Sequence, residues 1–274
     1  MNGLDLFSGI GGIGLALEPW VRTVAYCERE PYAQGVLLSR MQSGDIDRAP
    51  IWDDVTTLRG EMLPPIGIIF GGFPCQDLSV AGRGAGLAGE RSGLFFEIVR
   101  LVNECKPRFV FLENVPAIRT RGGERVVKEL ASLGYDCRWT TLSAASVGAP
   151  HKRERWFLLA HANGNTIRTE QEQRRQQGKT VFGYDGSEES VAHAPCERIQ
   201  GLRSSGEQEP GSHGEEGLPL RQGERPIQSD WTVEPDVGRV VNGLPDRAHR
   251  IKCLGNSVVP LQVREAFKKL AGIN

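Results

Sequence analysis

Three apolar runs, each leading into residues that carry chemistry, constrain this chain more than any other feature. Leu4-Asp5-Leu6-Phe7 runs into the glycine-rich Ser8-Gly9-Ile10-Gly11-Gly12. Ile66-Gly67-Ile68-Ile69-Phe70 runs into Gly71-Gly72-Phe73-Pro74-Cys75-Gln76, and Phe109-Val110-Phe111-Leu112 into Glu113-Asn114. Short apolar runs bounded by Gly and Pro read as strands buried on both faces. Helical patterns lie between them, so the expected fold is α/β: a doubly wound, mostly parallel, Rossmann-like sheet. Such folds build their sites at the carboxyl ends of the strands. A thiol, a carboxylate and a ligand-cradling turn therefore converge on one sheet edge.

The remaining elements of the first 160 residues fit that frame. Ile13 to Glu18 opens a helix, Val21 to Cys27 is a strand ending at Glu28, and Pro31 sits in the first turn of a helix reaching about Met41. Leu94, Ile98, Leu101 and Val102 form a helical stripe within Ser92 to Val102. Val126 to Leu133 reads as a helix, and Cys137 to Leu142 and Trp156 to Ala160 as strands. Near the C-terminus, Val263, Ala266, Phe267 and Leu270 mark an amphipathic helix with Pro260 in its first turn. No helix precedes the first strand, so this last helix is expected to cover that part of the sheet and to bring Gly255-Asn256-Ser257 beside the first turn.

Composition changes near residue 162. From Asn163 to about Ser229 the chain is rich in Gly, Glu, Gln, Arg and Ser and poor in large apolar residues, too polar for a core of its own. The expected organisation is a catalytic and cofactor-binding part at 1–162, a small loop-rich region at 163–236, and a segment at 237–274 that returns to the first part. No run approaches the ~18 apolar residues of a membrane span, and no signal peptide is seen, so a cytoplasmic location is expected. Six scattered cysteines without metal spacing argue against disulfides and zinc. The net charge of −1 argues against a general nucleic-acid coat. If a nucleic acid is the partner, binding has to come from local arginines and base contacts rather than from a bulk field.

Gly9-Ile10-Gly11-Gly12-Ile13-Gly14 follows a strand, precedes a helix, and has Glu28 about 20 residues on, the pattern of a dinucleotide turn with a ribose acid. This suits any adenosine-type ligand and does not by itself specify NAD. Asp54, with Val55 beside it, supplies a carboxylate at a third strand end, where it can accept from an adenine amine or simply cap a helix. Cys75 taken alone reads more readily as a small buried hydrophobe than as a nucleophile. Its position at a strand end, with Glu113 at another, favours chemistry, and the glycine-rich stretch Gly82 to Gly89 suggests a closing loop. Arg153 and Arg155 share one side of an extended segment just before the apolar Trp156-Phe157-Leu158-Leu159.

Taken in order, these motifs resemble those of the DNA (cytosine-5)-methyltransferases. Asp5 to Gly12 is similar to the cofactor motif of that family, Gly72-Phe73-Pro74-Cys75-Gln76 to its nucleophile motif, and Phe111-Leu112-Glu113-Asn114-Val115 to its acid motif. Lys152-Arg153-Glu154-Arg155 resembles the arginine motif, and Gly255-Asn256-Ser257-Val258-Val259-Pro260 the closing motif.

The resemblance implies transfer of a methyl group from S-adenosylmethionine to C5 of a flipped-out cytosine in a specific double-stranded DNA sequence. Cys75 would add to C6, Glu113 would stabilise the charge developing on the ring, and Arg155 with Arg153 would hold the base and backbone. It further implies cofactor contacts from Asp5, Phe7, Ser8, Gly9, Ile10, Gly11, Gly12, Glu28, Asp54, Val55, Gly72, Asn256 and Ser257. Substrate contacts would come from Pro74, Gln76, Ser79 and Asn114, and the segment 163–236 falls at the target-recognition region. Two departures stand out: Gly3 and Arg29 occupy positions that are aromatic in some members, so adenine stacking is expected to be weaker or to come from elsewhere, and His151 stands where glutamine is common. The expected protein is a monomer, nucleoid-associated in a bacterium or expressed from a phage, with a separately encoded restriction endonuclease as one possible partner. A tRNA cytosine methylase on the same scaffold and an NAD-binding oxidoreductase are the competing readings.

Overall fold

The computed structural model describes residues 1–74, 93–163 and 246–273. Within them the chain runs β1 (Asn2–Leu6), α1 (Gly12–Leu17), β2 (Arg22–Cys27), α2 (Pro31–Ser43), β3 (Ile51–Trp52) and β4 (Ile68–Gly72). It continues with α3 (Gly93–Cys105), β5 (Phe109–Asn114), α4 (Ile118–Arg121), α5 (Gly123–Ser132), β6 (Tyr135–Leu142) and β7 (Arg155–Ala162), and ends in α6 (Arg247–Asn256) and α7 (Pro260–Ala271). The strands form a seven-stranded sheet in the order β3-β2-β1-β4-β5-β7-β6. β1 to β5 are mutually parallel, whereas β7 runs antiparallel to both β5 and β6. Strand order turns at β1, which pairs with β2 on one side and β4 on the other, creating a crevice at their carboxyl ends.

Side-chain alternation sorts the core into two layers. On one face Leu4, Leu6, Ile69, Val110, Leu112 and Leu158 pack under α3 and α5 through Phe95, Ile98, Leu101, Val126 and Leu130. On the other, Ile68, Phe70, Phe109, Phe111 and Phe157 pack under α1 and α7 through Ile13, Leu17, Val263, Ala266 and Phe267. Fully buried strands coated on both sides are what the apolar runs demand. Elements read from the sequence appear with ends shifted by a few residues, the usual scatter at frayed termini. None of the helices among the described residues is long and apolar enough to cross a membrane.

The C-terminal helix returns to the face of the sheet that carries α1, as expected. α7 packs on β7 and β6 and beside α1, while the face of β1 is covered by α1 itself, with Gly14 directly over Asp5. Phe111 and Phe157 give α7 an aromatic floor, with Phe267 edge-on to Phe111 at 5.3 Å. The closing motif also reaches the first turn: a Cβ on Gly12 would meet Val258 at 2.9 Å. Of the segment 163–236, only its first residue falls within the described residues.

Candidate active site

The site is built at the carboxyl ends of β4 and β5 and the start of β7. Parallel register sets Gly72 opposite Glu113. A Cβ on Gly72 would lie 2.6 Å from Glu113 Oε2, so glycine is required for the acid to occupy this place. Antiparallel pairing sets Glu113 opposite Phe157 and Asn114 opposite Trp156. Arg155, two residues before Phe157, therefore projects on the same face as Glu113, and its Nε lies 2.9 Å from Glu113 Oε1. Glu113 is buried, and burial pushes its carboxyl up to about 7 against the opposing fields of Arg155 and Arg153. A carboxyl poised at that value can hold or release a proton near neutrality.

Asn114 is buried and turned inward. Its Nδ2 donates to the carbonyl of Phe73 at 3.0 Å and its Oδ1 accepts from the Val115 amide at 2.8 Å. It thereby fixes the backbone where β4 leaves the sheet, immediately ahead of the exposed Pro74. Cys75, Gln76 and Ser79 lie outside the described residues.

Arg153 has a different task from Arg155. Its guanidinium donates to the carbonyl of Gly255 at 2.8 Å and to that of Ser257, tying the arginine motif to the closing motif. Direct contact with Glu113 thus falls to Arg155. Arg153 adopts a left-handed backbone, φ 31°, and its carbonyl, with that of Leu142, accepts from Gln262 Nε2 at 2.8 Å. Gln262 escaped the sequence reading. Its signal was a polar residue next to Val263 on the apolar stripe of α7, which requires buried partners.

The crevice at β1, β2 and β3 gathers the residues expected at the cofactor. Phe7, at φ 55°, and Gly9, at φ 54°, both have left-handed backbone where the chain turns off β1. For Phe7 this conformation is strained. At Gly9 a Cβ would project into open space. Glu28 Oε2 accepts from the Gly9 amide at 2.7 Å, and its Oε1 accepts from the Glu30 amide at 2.8 Å. From α2, Arg40 donates to the carbonyl of Ile10 at 2.5 Å, bracing the turn from behind. Asp54 Oδ1 accepts from the amide and hydroxyl of Thr56, which holds its carboxyl below the usual range. The Val55 carbonyl accepts from Arg100 of α3 at 3.0 Å.

Two residues expected at the cofactor face inward instead. The Ser8 hydroxyl donates to the carbonyl of Asp5 at 2.8 Å and accepts from the amide of Cys27 at 3.2 Å, stitching β1 to β2. Asp5 is buried beneath α1 with both carboxylate oxygens lacking a hydrogen-bond partner. Burial first, and the charge of Glu28 second, push its carboxyl well above the ordinary range. Asn256 is exposed at the end of α6, and Ser257 hydroxyl donates to the Leu254 carbonyl at 2.9 Å.

The turn, its flanking acids and the open space at Gly9 fit a nucleoside carrying an amino-acid tail: hydroxyl and amine donors would face Glu28 and Asp54, and a carboxylate would face the backbone amides of the turn.

The chain is similar to known proteins over its first part. The type II methyltransferase M.CviJI of Paramecium bursaria Chlorella virus IL3A is 39% identical over 159 residues, covering 57% of this chain and 42% of that protein. M.HhaI of Haemophilus parahaemolyticus is 35% identical over 169 residues, covering 60% of this chain and 50% of its own. The chain thus spans about half the length of these curated relatives. A crystal structure described as that of a DNA modification methyltransferase encoded within an E. coli prophage superposes with a TM-score of 0.50 at 27% identity, covering 61% of this chain and 48% of that one. The nicotinamide reading of the glycine turn gives way to these likenesses. Residues 1–207 match the family described as C-5 cytosine-specific DNA methylase, and with more than half its length so matched, the chain belongs to that family.

Proposed function

We propose that this protein transfers a methyl group from S-adenosylmethionine to C5 of cytosine in a specific double-stranded DNA sequence. The observation that carries the proposal is the buried Glu113, held 2.9 Å from Arg155 and opposite Gly72, three residues before Cys75. Cytosine C5 is a poor nucleophile until something adds to C6, and a thiolate suits that reversible addition. Cys75 forms a bond to C6 while Glu113, protonated at its raised pKa, donates to N3 and neutralises the charge that develops on the ring. Arg155 holds the acid in place and offers its remaining N–H groups to the base.

Glu28 and Asp54 would hold the ribose and adenine of S-adenosylmethionine, which when bound supplies an electrophilic methyl group. After transfer, loss of the C5 proton and expulsion of the Cys75 thiolate restore the ring. A stacked base is out of reach of this site, so the cytosine has to be flipped out. The segment 163–236 is the proposed reader of the DNA sequence, and its arginines, among them Arg174, Arg175, Arg198 and Arg203, are suited to fork onto guanine in the major groove.

Base-resolution bisulfite sequencing of DNA from an expressing strain tests the reading. New 5-methylcytosine within one short sequence, absent when Cys75→Ala is expressed, is the expected result. Unmodified DNA alongside newly methylated tRNA would overturn it.

A further inference from the structure

One guanidinium on α3 ties that helix to the loop that follows β3. Arg100 Nε donates to Glu97 Oε2 at 2.7 Å, and its Nη1 donates to Glu104 Oε1 at 2.7 Å. The two acids stand one turn to either side, at i−3 and i+4, and hold the planar group in one orientation. So oriented, Nη2 donates to the Val55 carbonyl at 3.0 Å, across 45 residues of chain. The other oxygen of Glu104, Oε2, accepts from the Gly60 amide at 2.7 Å. A Cβ on Gly60 would meet Glu104 Cβ at 2.8 Å and Cys105 Sγ at 3.1 Å, so loop and helix touch. The stretch 55–60 is thus fastened to α3 at both ends, with Leu58 buried between them.

The turn that opens this stretch is braced from within. Thr56 donates its amide and hydroxyl to Asp54 Oδ1, the Thr57 amide donates to the Asp54 carbonyl at 3.1 Å, and Trp52 Nε1 donates to the Thr57 hydroxyl at 2.8 Å. Such a turn keeps its own shape, and Arg100 with Glu104 sets where that shape stands against the sheet. The same helix carries Phe95, whose ring centroid lies 5.3 Å from that of Phe73, two residues before Cys75. α3 is therefore a common mount for the Asp54 turn and the end of β4. An isolated exposed ion pair contributes little, but a guanidinium with all three nitrogens engaged across two elements is a rigid joint.

We infer that Arg100, set by Glu97 and Glu104, is a positioning residue that determines the specificity of the crevice for adenine through Asp54 and Val55. This rests on the reading that the crevice takes S-adenosylmethionine with its adenine amine at Asp54. An acceptor rejects the wrong ligand only when it is held in place, because one free to shift accommodates either. Lysine cannot replace the joint, since a point charge has no planar fork to serve three acceptors.

Calorimetry on the full chain with two probes tests the inference: S-adenosylhomocysteine, and S-inosylhomocysteine, in which a carbonyl replaces the adenine amine. The wild type is expected to prefer the adenine probe by roughly tenfold. In Arg100→Met and Glu104→Leu that preference is expected to shrink by about three- to tenfold, through weaker binding of the adenine probe. Arg100→Lys is expected to lose most of it too, whereas Glu104→Gln, which can still accept from the Gly60 amide, is expected to keep most of it. Arg125→Met removes the Arg125–Glu129 pair of α5 and is the control, expected to leave the ratio unmoved. Should Arg100→Met not fold, Glu104→Leu against Glu104→Gln carries the same comparison. A purely structural role would weaken both probes alike. That outcome, an unchanged preference in the Arg100 and Glu104 variants, or a wild type that binds both probes equally would overturn the inference. A wild type that binds neither probe nor S-adenosylmethionine would instead overturn the proposed function itself.

Discussion

Arg155 and Glu113 meet at 2.9 Å because β7 runs against β5. In a parallel neighbour the residues that begin a strand lie at the opposite edge of the sheet from the residues that end its partner. Reversal of β7 brings its first residue to the carboxyl end of β5, beside the acid. The one break in the parallel pattern is therefore what supplies the site with a cation.

The balance at Glu113 makes stability depend on pH. Burial raises its folded-state pKa from 4.5 to about 7. The folded protein therefore holds the proton more tightly than the unfolded chain does, and wild-type stability falls as pH rises through that window. Glu113→Gln removes the titration, so the variant should gain on the wild type by about 2–3 kcal/mol between pH 5 and pH 8. Urea denaturation of both proteins at the two pH values measures this. A difference independent of pH would mean that the carboxyl is not raised.

Arg155→Met probes the same pair from the other side. Above the Glu113 pKa the variant leaves a buried charge without its counter-ion, at a cost of roughly 2–4 kcal/mol, and below it the neutral acid tolerates the change better. Methyl transfer should be lost under both conditions, while S-adenosylmethionine affinity should change little. Equal destabilisation at pH 5 and pH 8 would show that Arg155 acts through packing rather than charge.

Much of this arrangement was legible in the sequence because strand ends are written in composition. Leu4 to Phe7, Ile66 to Phe70 and Phe109 to Leu112 are apolar enough to be nothing but buried strands, and whatever follows each must emerge at the sheet edge. Glu113 was placed in this way, Glu28 from the end of the run Val21 to Cys27, and Arg155 from the start of the run Trp156 to Leu159. What the sequence concealed was direction in space. Asp5 and Ser8 sit in the motif with the cofactor turn, but strand alternation and the left-handed Phe7 turn both inward, and no local pattern reports that. Arg153 and Arg155 looked equivalent in an extended segment until Gly255 and Ser257 claimed the first.

Gln262 carries a prediction about the C-terminal helix. Its Nε2 serves the carbonyls of Leu142 and Arg153 from a fully buried position. Gln262→Leu matches the apolar stripe around it but takes the donor from two part-buried carbonyls. The variant should lose about 1–3 kcal/mol of stability. If chemical denaturation shows it to be as stable as the wild type, these bonds do not hold the arginine motif against α7.

Glu28 should govern cofactor affinity rather than chemistry. In the structure its two oxygens each accept one backbone amide, from Gly9 and from Glu30, so the acid shapes the turn while retaining lone pairs for a ribose diol. Glu28→Ala removes both functions and should weaken S-adenosylmethionine binding by roughly 1–3 kcal/mol. Glu28→Gln, which can still accept from one amide but carries no charge, should fall between the two. Under saturating cofactor both variants should approach the wild-type rate, because neither group touches the base. Calorimetry separates the possibilities: unchanged affinity in the alanine variant would remove Glu28 from the crevice, and tighter binding of NAD than of S-adenosylmethionine by the wild type would reassign the ligand.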